Sequence, residues 1–407
     1  MNILYVAYSC APNKGSEDKI GWNIPLESAK TNRVCILTRE EQRGVIEAYL
    51  KENHITNIKF YYVDIPHIYK KFFKGVACSL KLNILHRRAI SFAKKICEIE
   101  NIEIIHQITP IEFRSVGNYG KIPNIKFVCG PLGGGESMPK GLRPYAKGHM
   151  LVEWIRSALN FFAYKKYQFS KKLNQCDYIL FANNETKNFL TPLVSNTKTT
   201  VFFDNGIEES SFYNKSQADI SHAKVPVFLV AGRMAYRKGH KFLLEALSQL
   251  PKNMEYECRI IGGGPELERL KSKSEQLGLQ QNVVFTGKIP FSEMRKEYEE
   301  ADVFIMPSIR ETTGAVLLEA MSSELPVITI NKFGGPILLD HNSAWLYDGN
   351  TKEEYVDNLK QAIVECISNP EEVSRRGKNA KQYATQHLWS KKIDFYNRIY
   401  LDLRNKE

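Results

Sequence analysis

Two glutamates eight positions apart, Glu311 and Glu319, lie in the stretch MPSIRETTGAVLLEAMSSELPV at residues 306–327. We expect a strand to end at Pro307, a loop to follow, and a helix to begin near Gly314. Glu311 would then face a ligand beyond the helix terminus. Glu319 would accept hydrogen bonds from hydroxyls that lie beside the first turns of the helix. Two glutamates at this spacing also occur on solvated helix surfaces, so the spacing alone indicates little. Their position after the end of a strand is what favours a binding role.

The backbone between the two glutamates offers a second kind of contact. N–H groups at the start of a helix have no intrahelical acceptor and lie at the positive end of the helix dipole. A phosphate is therefore predicted to bind at Thr312, Thr313, Gly314 and Ala315.

Two cations frame the loop in AGRMAYRKGH at residues 231–240, where a strand is predicted to end at Gly232. Arg233 and Lys238 would hold a diphosphate and stabilise the charge that develops as it departs. The alternative is a pair of surface cations.

Glycine-rich turns follow two predicted strands in the first half. In SCAPNKGSEDKIGWN at residues 9–23, Gly15 and the adjacent Ser16 allow a ligand to approach the backbone. The loop lacks the GxGxxG fingerprint of dinucleotide-binding proteins. The second turn, CGPLGGGES at residues 129–137, leaves room for substrate or for motion.

Metal ligands have no evident source in the sequence. There is no DxD motif, and the eight cysteines are scattered without a CxxC pair, which favours reduced thiols. We therefore expect neither a metal nor a cofactor.

Strand-like apolar runs alternate with helix-length segments along the 407 residues, which indicates an α/β fold with parallel sheets. The chain is long enough for two such domains, and we expect them to face each other across a cleft. The predicted strands are 2–8, 33–38, 58–65, 102–108, 125–130 and 177–182 in the first half, and 225–232, 256–263, 282–287, 301–307 and 326–330 in the second.

The predicted domains are an N-terminal Rossmann-like domain over 1–205, a C-terminal Rossmann-like domain over 206–388, and a closing helix over 389–407. A polar stretch after residue 207 is the predicted linker. The closing segment has apolar residues at helical spacing, so we expect it to pack back on the N-terminal domain.

The net charge of +11 is concentrated in two places. Residues 70–95 carry eight Lys or Arg and no acid, and residues 140–172 carry eight against the single acid Glu153, mixed with aromatic residues. This pattern suits an anionic membrane surface, although nucleic acid or plain solvated helix faces are alternatives. No apolar run reaches about 18 residues and no signal peptide is evident, which favours a cytoplasmic protein that binds the membrane peripherally.

Taken together, these motifs resemble the retaining glycosyltransferases of family four, the glycosyl transferases group 1, which have the GT-B fold. Glu311 and Glu319 match the E-x7-E motif of that family. AGRMAYRKG, IGGGPELERL, VVFTGKI, ADVFIMPS and the block after Glu311 follow in the family's order. The resemblance is strong over about residues 200–400 and weaker before them.

The resemblance implies roles for individual residues. The catalytic group would be Arg233, Lys238 and Glu311, with the two cations on the donor diphosphate and Glu311 on the hydroxyls of the donor sugar. Glu319 would bind the ribose, the backbone at 312–315 the phosphate, and Gly15 with Ser16 the same diphosphate from the other domain. Transfer would retain the anomeric configuration and need no metal.

The acceptor side departs from the family pattern. Many relatives carry a histidine where this chain has Gly130 and Pro131. His106 matches another histidine position of the family, as either a contact to sugar or acceptor or a plain wall residue. Arg114 and Glu136 are weaker candidates for acceptor binding.

The leading hypothesis is therefore a glycosyltransferase of bacterial surface-polysaccharide synthesis, which would build a capsule, exopolysaccharide or O-antigen on a lipid-linked acceptor. Its partners would be the nucleotide-sugar, the acceptor and an anionic membrane, with no nucleic acid. Alternatives are a non-catalytic nucleotide-sugar-binding subunit, motivated by the missing histidine, and a nucleotide-sugar epimerase on the same fold. An NAD-dependent oxidoreductase is disfavoured because GxGxxG is missing.

Overall fold

The computed structural model describes residues 1–15, 17–64, 78–146, 148–195, 197–213 and 225–405. The chain divides into two compact units. The first contains Met1–Glu136, Leu151–Gly206 and Trp389–Glu407, and the second contains Ser137–Met150 and Ile207–Leu388. The predicted domains followed sequence order alone, whereas the observed division assigns Ser137–Met150 to the second unit.

The first unit is built on a seven-stranded sheet in the order β3-β2-β1-β4-β5-β6-β7, and every described pair of its neighbouring strands is parallel. The central strands are almost completely buried, as expected for a parallel sheet covered on both faces. The strands are Asn2–Ala7 (β1), Arg33–Arg39 (β2), Ile58–Val63 (β3), Ile104–Thr109 (β4), Lys126–Leu132 (β5), Tyr178–Phe181 (β6) and Lys198–Val201 (β7).

Among the described residues before 207, five helices belong mainly to the first unit: Glu17–Ser28 (α1), Arg43–Glu52 (α2), Cys78–Glu100 (α3), Met150–Ser170 (α4) and Asn184–Leu190 (α5). The side chain of Asn183 accepts a hydrogen bond from the backbone N–H of Thr186 and so caps α5. Two short 3-10 helices, Tyr119–Lys121 and Lys172–Gln175, precede β5 and β6. They therefore lie at the amino ends of those strands.

The second unit repeats the architecture with a six-stranded parallel sheet in the order β10-β9-β8-β11-β12-β13. Its strands are Val227–Ala231 (β8), Glu257–Ile261 (β9), Val283–Gly287 (β10), Val303–Met306 (β11), Val327–Ile330 (β12) and Ala344–Tyr347 (β13). The last strand was absent from the sequence prediction, although AWLY is a continuous run of four apolar residues.

Seven helices accompany this sheet within the residues that the structure describes: His240–Leu247 (α6), Leu267–Gln276 (α7), Phe291–Glu300 (α8), Val316–Ser322 (α9), Gly335–Leu338 (α10), Lys352–Ser368 (α11) and Pro370–Ala384 (α12). A capping box begins α11: Thr351 accepts from the N–H of Glu354, whose carboxylate accepts from the N–H of Thr351. Such a cap contributes about 0.5–2 kcal/mol.

Residues 137–150 pack on the second unit through close backbone and ring contacts. A β-carbon added to Gly141 would lie 2.2 Å from the carbonyl oxygen of Asn350. The ring of Tyr145 meets Phe242 edge-on at 5.9 Å, and the ring of His149 stacks on Tyr236 at 4.1 Å. These contacts join residues 87 to 209 positions apart, which sequence patterns do not reveal.

The closing helix, Trp389–Arg404 (α13), packs on the first unit. Six apolar or aromatic side chains are buried along it: Trp389, Ile393, Tyr396, Ile399, Tyr400 and Leu403. Lys392 is also buried and donates to the carbonyl oxygen of Phe203 at 2.6 Å. Burial lowers the pKa of Lys392 to about 7.

Both sheets confirm the predicted fold class, an α/β protein with two Rossmann-like domains. The predicted linker lies mostly outside the described residues, since the structure describes none of 214–224.

Candidate functional site

The candidate site of the second unit lies where the strand order of its sheet reverses. β8 and β11 are parallel neighbours at the centre of the sheet, while the connections from them run to opposite sides. Ligands of open α/β sheets bind beside the carboxyl ends of the strands at such a switch point. The loop with Arg233 and Lys238 follows β8, and the loop with Glu311 follows β11. Topology alone therefore makes these two loops neighbours.

Gly239 lets the two loops touch. It ends a short 3-10 helix, Tyr236–Lys238, with a φ of 72° that L side chains rarely adopt. A β-carbon there would lie 1.6 Å from the carbonyl oxygen of Pro307. The N–H of Ile309 donates to the carbonyl oxygen of Arg237 at 2.9 Å and ties the loops together.

An ion cluster forms between the loops. The ammonium of Lys238 is hydrogen-bonded to one carboxylate oxygen of Glu311, and a guanidinium nitrogen of Arg237 lies 3.7 Å from the other. The side chain of Glu311 is only 12% exposed. Burial acts to raise its pKa, but the charges of Lys238 and Arg237 prevail and the pKa is lowered. Glu311 is therefore an anion at neutral pH despite its burial.

Arg237 was not among the predicted residues. Arg237 stands next to Lys238 in the sequence RKG, and this neighbouring cation could have indicated it. It was not selected because adjacent residues of a regular element face different directions. The 3-10 turn places both cations toward the same carboxylate.

Arg233 differs from these two cations. It is exposed, and among the described residues its guanidinium has no ion-pair or hydrogen-bond partner. Because Arg233 makes no ion pair within the described residues, its guanidinium is available to an anionic ligand.

The helix after Glu311 begins at Val316, two residues later than the predicted start near Gly314. The reason is local: Gly314 has a φ of 81° and is not helical. The N–H of Thr312 donates to the carboxylate of Glu311 at 3.2 Å, which occupies one of the four predicted phosphate donors. A β-carbon on Gly334 would lie 1.7 Å from the carbonyl oxygen of Thr313, so the next loop packs closely against this one.

Glu319 lies on α9 and is partly exposed. The hydroxyl of Tyr298, which is buried on α8, donates to its carboxylate at 2.9 Å. Tyr298 was missed in the sequence, because nothing local links residues 21 positions apart on separate helices. Its hydrogen bond fixes one oxygen of Glu319 and leaves the carboxylate oriented.

In the first unit, the close approach of the backbone at the loop after β1 depends on a different glycine from the predicted Gly15. Gly15 is exposed, and an added β-carbon there would meet nothing within 4 Å; Ser16 lies outside the described residues. The glycine that the geometry requires is Gly21 in α1, whose β-carbon would lie 1.8 Å from the carbonyl oxygen of Ser9. The helix can approach this loop only because residue 21 has no side chain.

Glu17 begins α1 beside this loop and accepts from the N–H of Ile111 at 3.3 Å. Burial raises the pKa of Glu17 to about 7, and the nearby carboxylates of Glu112, Asp204 and Asp18 act in the same direction. Glu17 was not predicted from the sequence, since its burial is a tertiary property.

His106 lies in β4 with no exposed surface. Its Nε2 lies 2.8 Å from the carbonyl oxygen of Gly130, which can only accept, so Nε2 carries the proton. Nδ1 then accepts from the hydroxyl of Tyr400 on α13 at 2.6 Å. Both ring nitrogens are used inside the unit. The arrangement leaves His106 no polar atom for an acceptor, and of the two alternatives it favours an internal role.

Glu136, in the glycine-rich turn after β5, is 5% exposed and is used by the fold. Its carboxylate accepts from the N–H of Gly134 at 2.8 Å and from the guanidinium of Arg156 at 3.2 Å. Arg114 pairs with Glu112 at 2.6 Å, yet two of its guanidinium nitrogens, Nε and Nη1, are buried and have no partner in the described part of the chain. Arg114 thus keeps donors for a ligand, whereas Glu136 anchors its own loop.

Metal-ligand clusters and membrane-spanning helices are both absent from the described residues. Within the described ranges, no group of three or more His, Cys, Asp or Glu side chains has the geometry to hold a metal ion. No described helix is both long enough and apolar enough to cross a membrane.

Comparison with known proteins connects this geometry to a family. Residues 214–383 match the family model "Glycosyl transferases group 1". A GDP-mannose-dependent alpha-(1-6)-phosphatidylinositol monomannoside mannosyltransferase of Mycolicibacterium smegmatis is 32% identical over 168 residues, which are 39% of this chain. The match spans 43% of that mannosyltransferase, so the chain covers less than half of its length.

Two further comparisons cover most of the chain. An uncharacterized glycosyltransferase of Methanocaldococcus jannaschii is 24% identical over 87% of both proteins. The solved apo structure of a lipopolysaccharide outer core galactosyltransferase aligns with a TM-score of 0.67 and 17% identity over 99% of both chains. At that identity the likeness shows the fold, which is GT-B.

Proposed function

We propose that the chain, whose residues 214–383 match the family model of the glycosyl transferases group 1, transfers a sugar from a nucleotide-sugar donor to a saccharide acceptor. The observation that carries the proposal is the cluster of Lys238, Glu311 and Arg237 at the switch point of the second sheet, beside the unpaired Arg233. It supplies both an anion for sugar hydroxyls and cations for a diphosphate.

The chemistry follows from the charges. Arg233 and Lys238 would bind the diphosphate of the donor and stabilise the negative charge that grows as the bond to the sugar breaks. Glu311, ionised because its pKa is lowered, would accept hydrogen bonds from donor-sugar hydroxyls. Glu319, oriented by Tyr298, would do the same for the ribose. Lys238 pairs with Glu311 before the donor binds, which keeps the buried carboxylate compensated.

We further propose that transfer retains the anomeric configuration and needs neither a metal nor a cofactor. The resemblance of Glu311 and Glu319 to the E-x7-E motif supports retention. The two cations provide the positive charge that a metal would otherwise bring to the leaving diphosphate.

A lipid-linked saccharide in surface-polysaccharide synthesis is the proposed acceptor. One relative is named for a phosphatidylinositol mannoside acceptor and one structural relative for the lipopolysaccharide outer core. Arg114, with its two unpartnered guanidinium nitrogens, is the residue of the first unit best suited to contact an acceptor. For His106 and Glu136 we propose internal roles.

Peripheral attachment to an anionic membrane is proposed for the first unit, at the inner face of the cell membrane. The helix α4 exposes large apolar side chains, among them Trp154 at 69% and Phe169 at 84%, next to Lys165 and Lys166. Of the basic stretches predicted to serve this purpose, residues 70–77 and 147 lie outside the described residues.

Cosedimentation with vesicles tests the attachment. The protein should sediment with vesicles that contain phosphatidylglycerol at low salt and be released at high salt, because the attraction is largely electrostatic. Phe162→Ser and Phe169→Ser should weaken binding, whereas Val45→Ser, at an exposed apolar position of α2, is the matched control. Absence of binding at every salt concentration would refute the proposal.

A thermal-shift screen with UDP, GDP, ADP and CMP tests the donor site. One nucleotide should raise Tm, and Arg233→Ala or Glu319→Ala should each weaken its binding about 10-fold or more, since each removes a charge-assisted hydrogen bond. Arg295→Ala and Glu268→Ala, exposed side chains of neighbouring helices, are the controls. If no nucleotide changes Tm, the transferase proposal loses its basis.

Product analysis separates the remaining alternatives. A transferase releases nucleoside diphosphate only when acceptor is present, whereas an epimerase converts the free donor without one. A binding subunit holds the donor and does neither.

A further inference from the structure

A cavity of about 280 Å³ lies in the first unit between α3, α4 and the two 3-10 helices that precede β5 and β6. These 3-10 helices are at the amino ends of their strands. The loops with Gly15 and Glu136 follow the carboxyl ends of strands in the same sheet. The cavity therefore lies at the amino ends of the strands, opposite the carboxyl ends that carry those loops. It shares no residue with the site described above.

Its walls are strongly cationic. Arg87, Lys121, Lys166 and Lys172 line the cavity, and none of its ten lining residues is acidic. Among the described residues, Arg87, Lys121 and Lys172 have no carboxylate within 4 Å. Lys166 bonds only to the side-chain oxygen of Asn83, at 3.2 Å. Four positive charges thus converge with no acidic residue in the lining of the cavity.

Two of the polar groups are deeply buried. His86 is 4% exposed, and its Nδ1 lies 2.8 Å from the hydroxyl of Tyr119. Its Nε2 is buried and has no hydrogen-bond partner. Lys172 is 8% exposed, and its ammonium makes no hydrogen bond within the described chain. A buried polar atom without a partner, such as Nε2 of His86, is costly unless a ligand or water completes it.

The charges also disfavour the empty state. Burial, together with the neighbouring Lys166 and Arg87, lowers the pKa of Lys172 to about 8. Burial and the charge of Lys172 lower the pKa of His86 to about 3, so its imidazole is neutral. An anion with several acceptor oxygens would relieve the repulsion among the cations. It would also accept from Nε2–H of His86, in the tautomer whose Nδ1 accepts from Tyr119.

We propose that this cavity is a phosphate-binding site, distinct from the donor site, that takes a phosphate group through Arg87, Lys121, Lys166, Lys172 and the Nε2–H of His86. Ligand pockets commonly measure roughly 300–1,000 Å³, so this cavity suits a small anion or a single headgroup. The phosphate comes either from a free anion or from a lipid headgroup, because the apolar face of α4 lies on the same helix as Lys166.

Thermal unfolding in inorganic phosphate, with chloride at matched ionic strength as reference, tests the site. We expect Tm to rise by about 3–6 °C at a concentration near ten times Kd. Arg87→Gln and Lys172→Met should abolish most of the rise. Arg88→Gln, an exposed neighbour that does not line the cavity, should keep it, and so should Arg233→Ala in the other unit.

The variants also separate this proposal from the donor site. A phosphate response that survives Arg87→Gln but disappears in Arg233→Ala would overturn the proposal, since the anion would then bind only in the second unit. Because Arg87 is exposed, its replacement should fold even if Lys172→Met does not. A parent protein that shows no response to phosphate at any concentration would overturn it as well.

Vesicles distinguish the two sources of the phosphate. If a lipid headgroup is the ligand, binding to phosphatidic acid vesicles should fall about 10-fold or more in Arg87→Gln relative to Arg88→Gln. If the two variants bind these vesicles equally while the thermal response differs, the site serves a free anion.

Discussion

Replacing Lys238 by methionine is expected to reduce sugar transfer by about two or more orders of magnitude and to destabilise the second unit by roughly 2–4 kcal/mol. The change leaves the buried carboxylate of Glu311 with only Arg237, 3.7 Å away, as a counter-charge. Transfer falls for a separate reason, because the departing diphosphate loses a cation. Urea unfolding and release of nucleoside diphosphate in the presence of acceptor measure the two effects.

A double variant separates stability from chemistry. Adding Glu311→Gln to Lys238→Met removes the uncompensated charge, so most of the lost stability should return while transfer stays low. Lys296→Met, in an exposed i,i+4 pair with Glu300, is the matched control and should change stability by less than about 1 kcal/mol. Recovery of transfer in the double variant would show that Lys238 acts only as a partner of Glu311.

The free energy of unfolding is expected to fall steeply as pH is lowered from 6.5 toward 4.5. Burial lowers the pKa of His86 and His106 to about 3 and that of His240 to about 4. Below the ordinary pKa of about 6.5, the unfolded chain binds protons at these sites and the folded chain does not. Their contribution is therefore complete above pH 6.5 and is lost on acidification, at about 1.4 kcal/mol per pH unit for each histidine.

Glu17 works in the opposite direction. Because burial raises its pKa to about 7, the folded chain holds a proton there that the unfolded chain releases above its ordinary carboxyl pKa. Its contribution is present at low pH and is lost as pH rises toward 7. Glu17 thus offsets the pH dependence that about one histidine gives to the free energy of unfolding of the first unit. His240 lies in the second unit, where Glu17 does not offset its effect.

Urea unfolding between pH 5 and pH 7 measures this slope. Trp345 is the single tryptophan of the second unit, so its fluorescence reports unfolding of that unit. His240→Phe should flatten the slope by about 1.4 kcal/mol per pH unit, because the Nδ1 of His240 has no partner to lose. His341→Phe, at an exposed position of the same unit, is the matched control. A slope that is unchanged in His240→Phe would mean that this histidine titrates normally in the folded protein.

Several features were set by local patterns and were therefore predictable from the sequence. Buried parallel strands are continuous apolar runs of four to seven residues here, bounded by turn residues, so most strands and the closing helix were predicted within a few positions. Chemistry at the carboxyl ends of such strands follows from the fold class. For that reason Arg233, Lys238, Glu311 and Glu319 could be selected as candidates without coordinates.

Only the tertiary structure decided what these residues do to one another. Lys238 and Glu311 are 73 positions apart, and they meet because Gly239 has no side chain to collide with Pro307. Tyr298 reaches Glu319 from a separate helix. His106 was a candidate for acceptor binding by sequence, but its Nδ1 is hydrogen-bonded to the hydroxyl of Tyr400, 294 positions away.

The physical reason is the range of the interactions. Hydrophobic periodicity and turn chemistry act over a few residues, so the sequence by itself determined the two α/β units and the segments that carry the site. Burial, ion pairing and the pKa of a side chain depend on neighbours brought in by packing. The cluster at Glu311, the proton on Glu17 and the cationic cavity around His86 and Lys172 therefore appear only when the chain is folded.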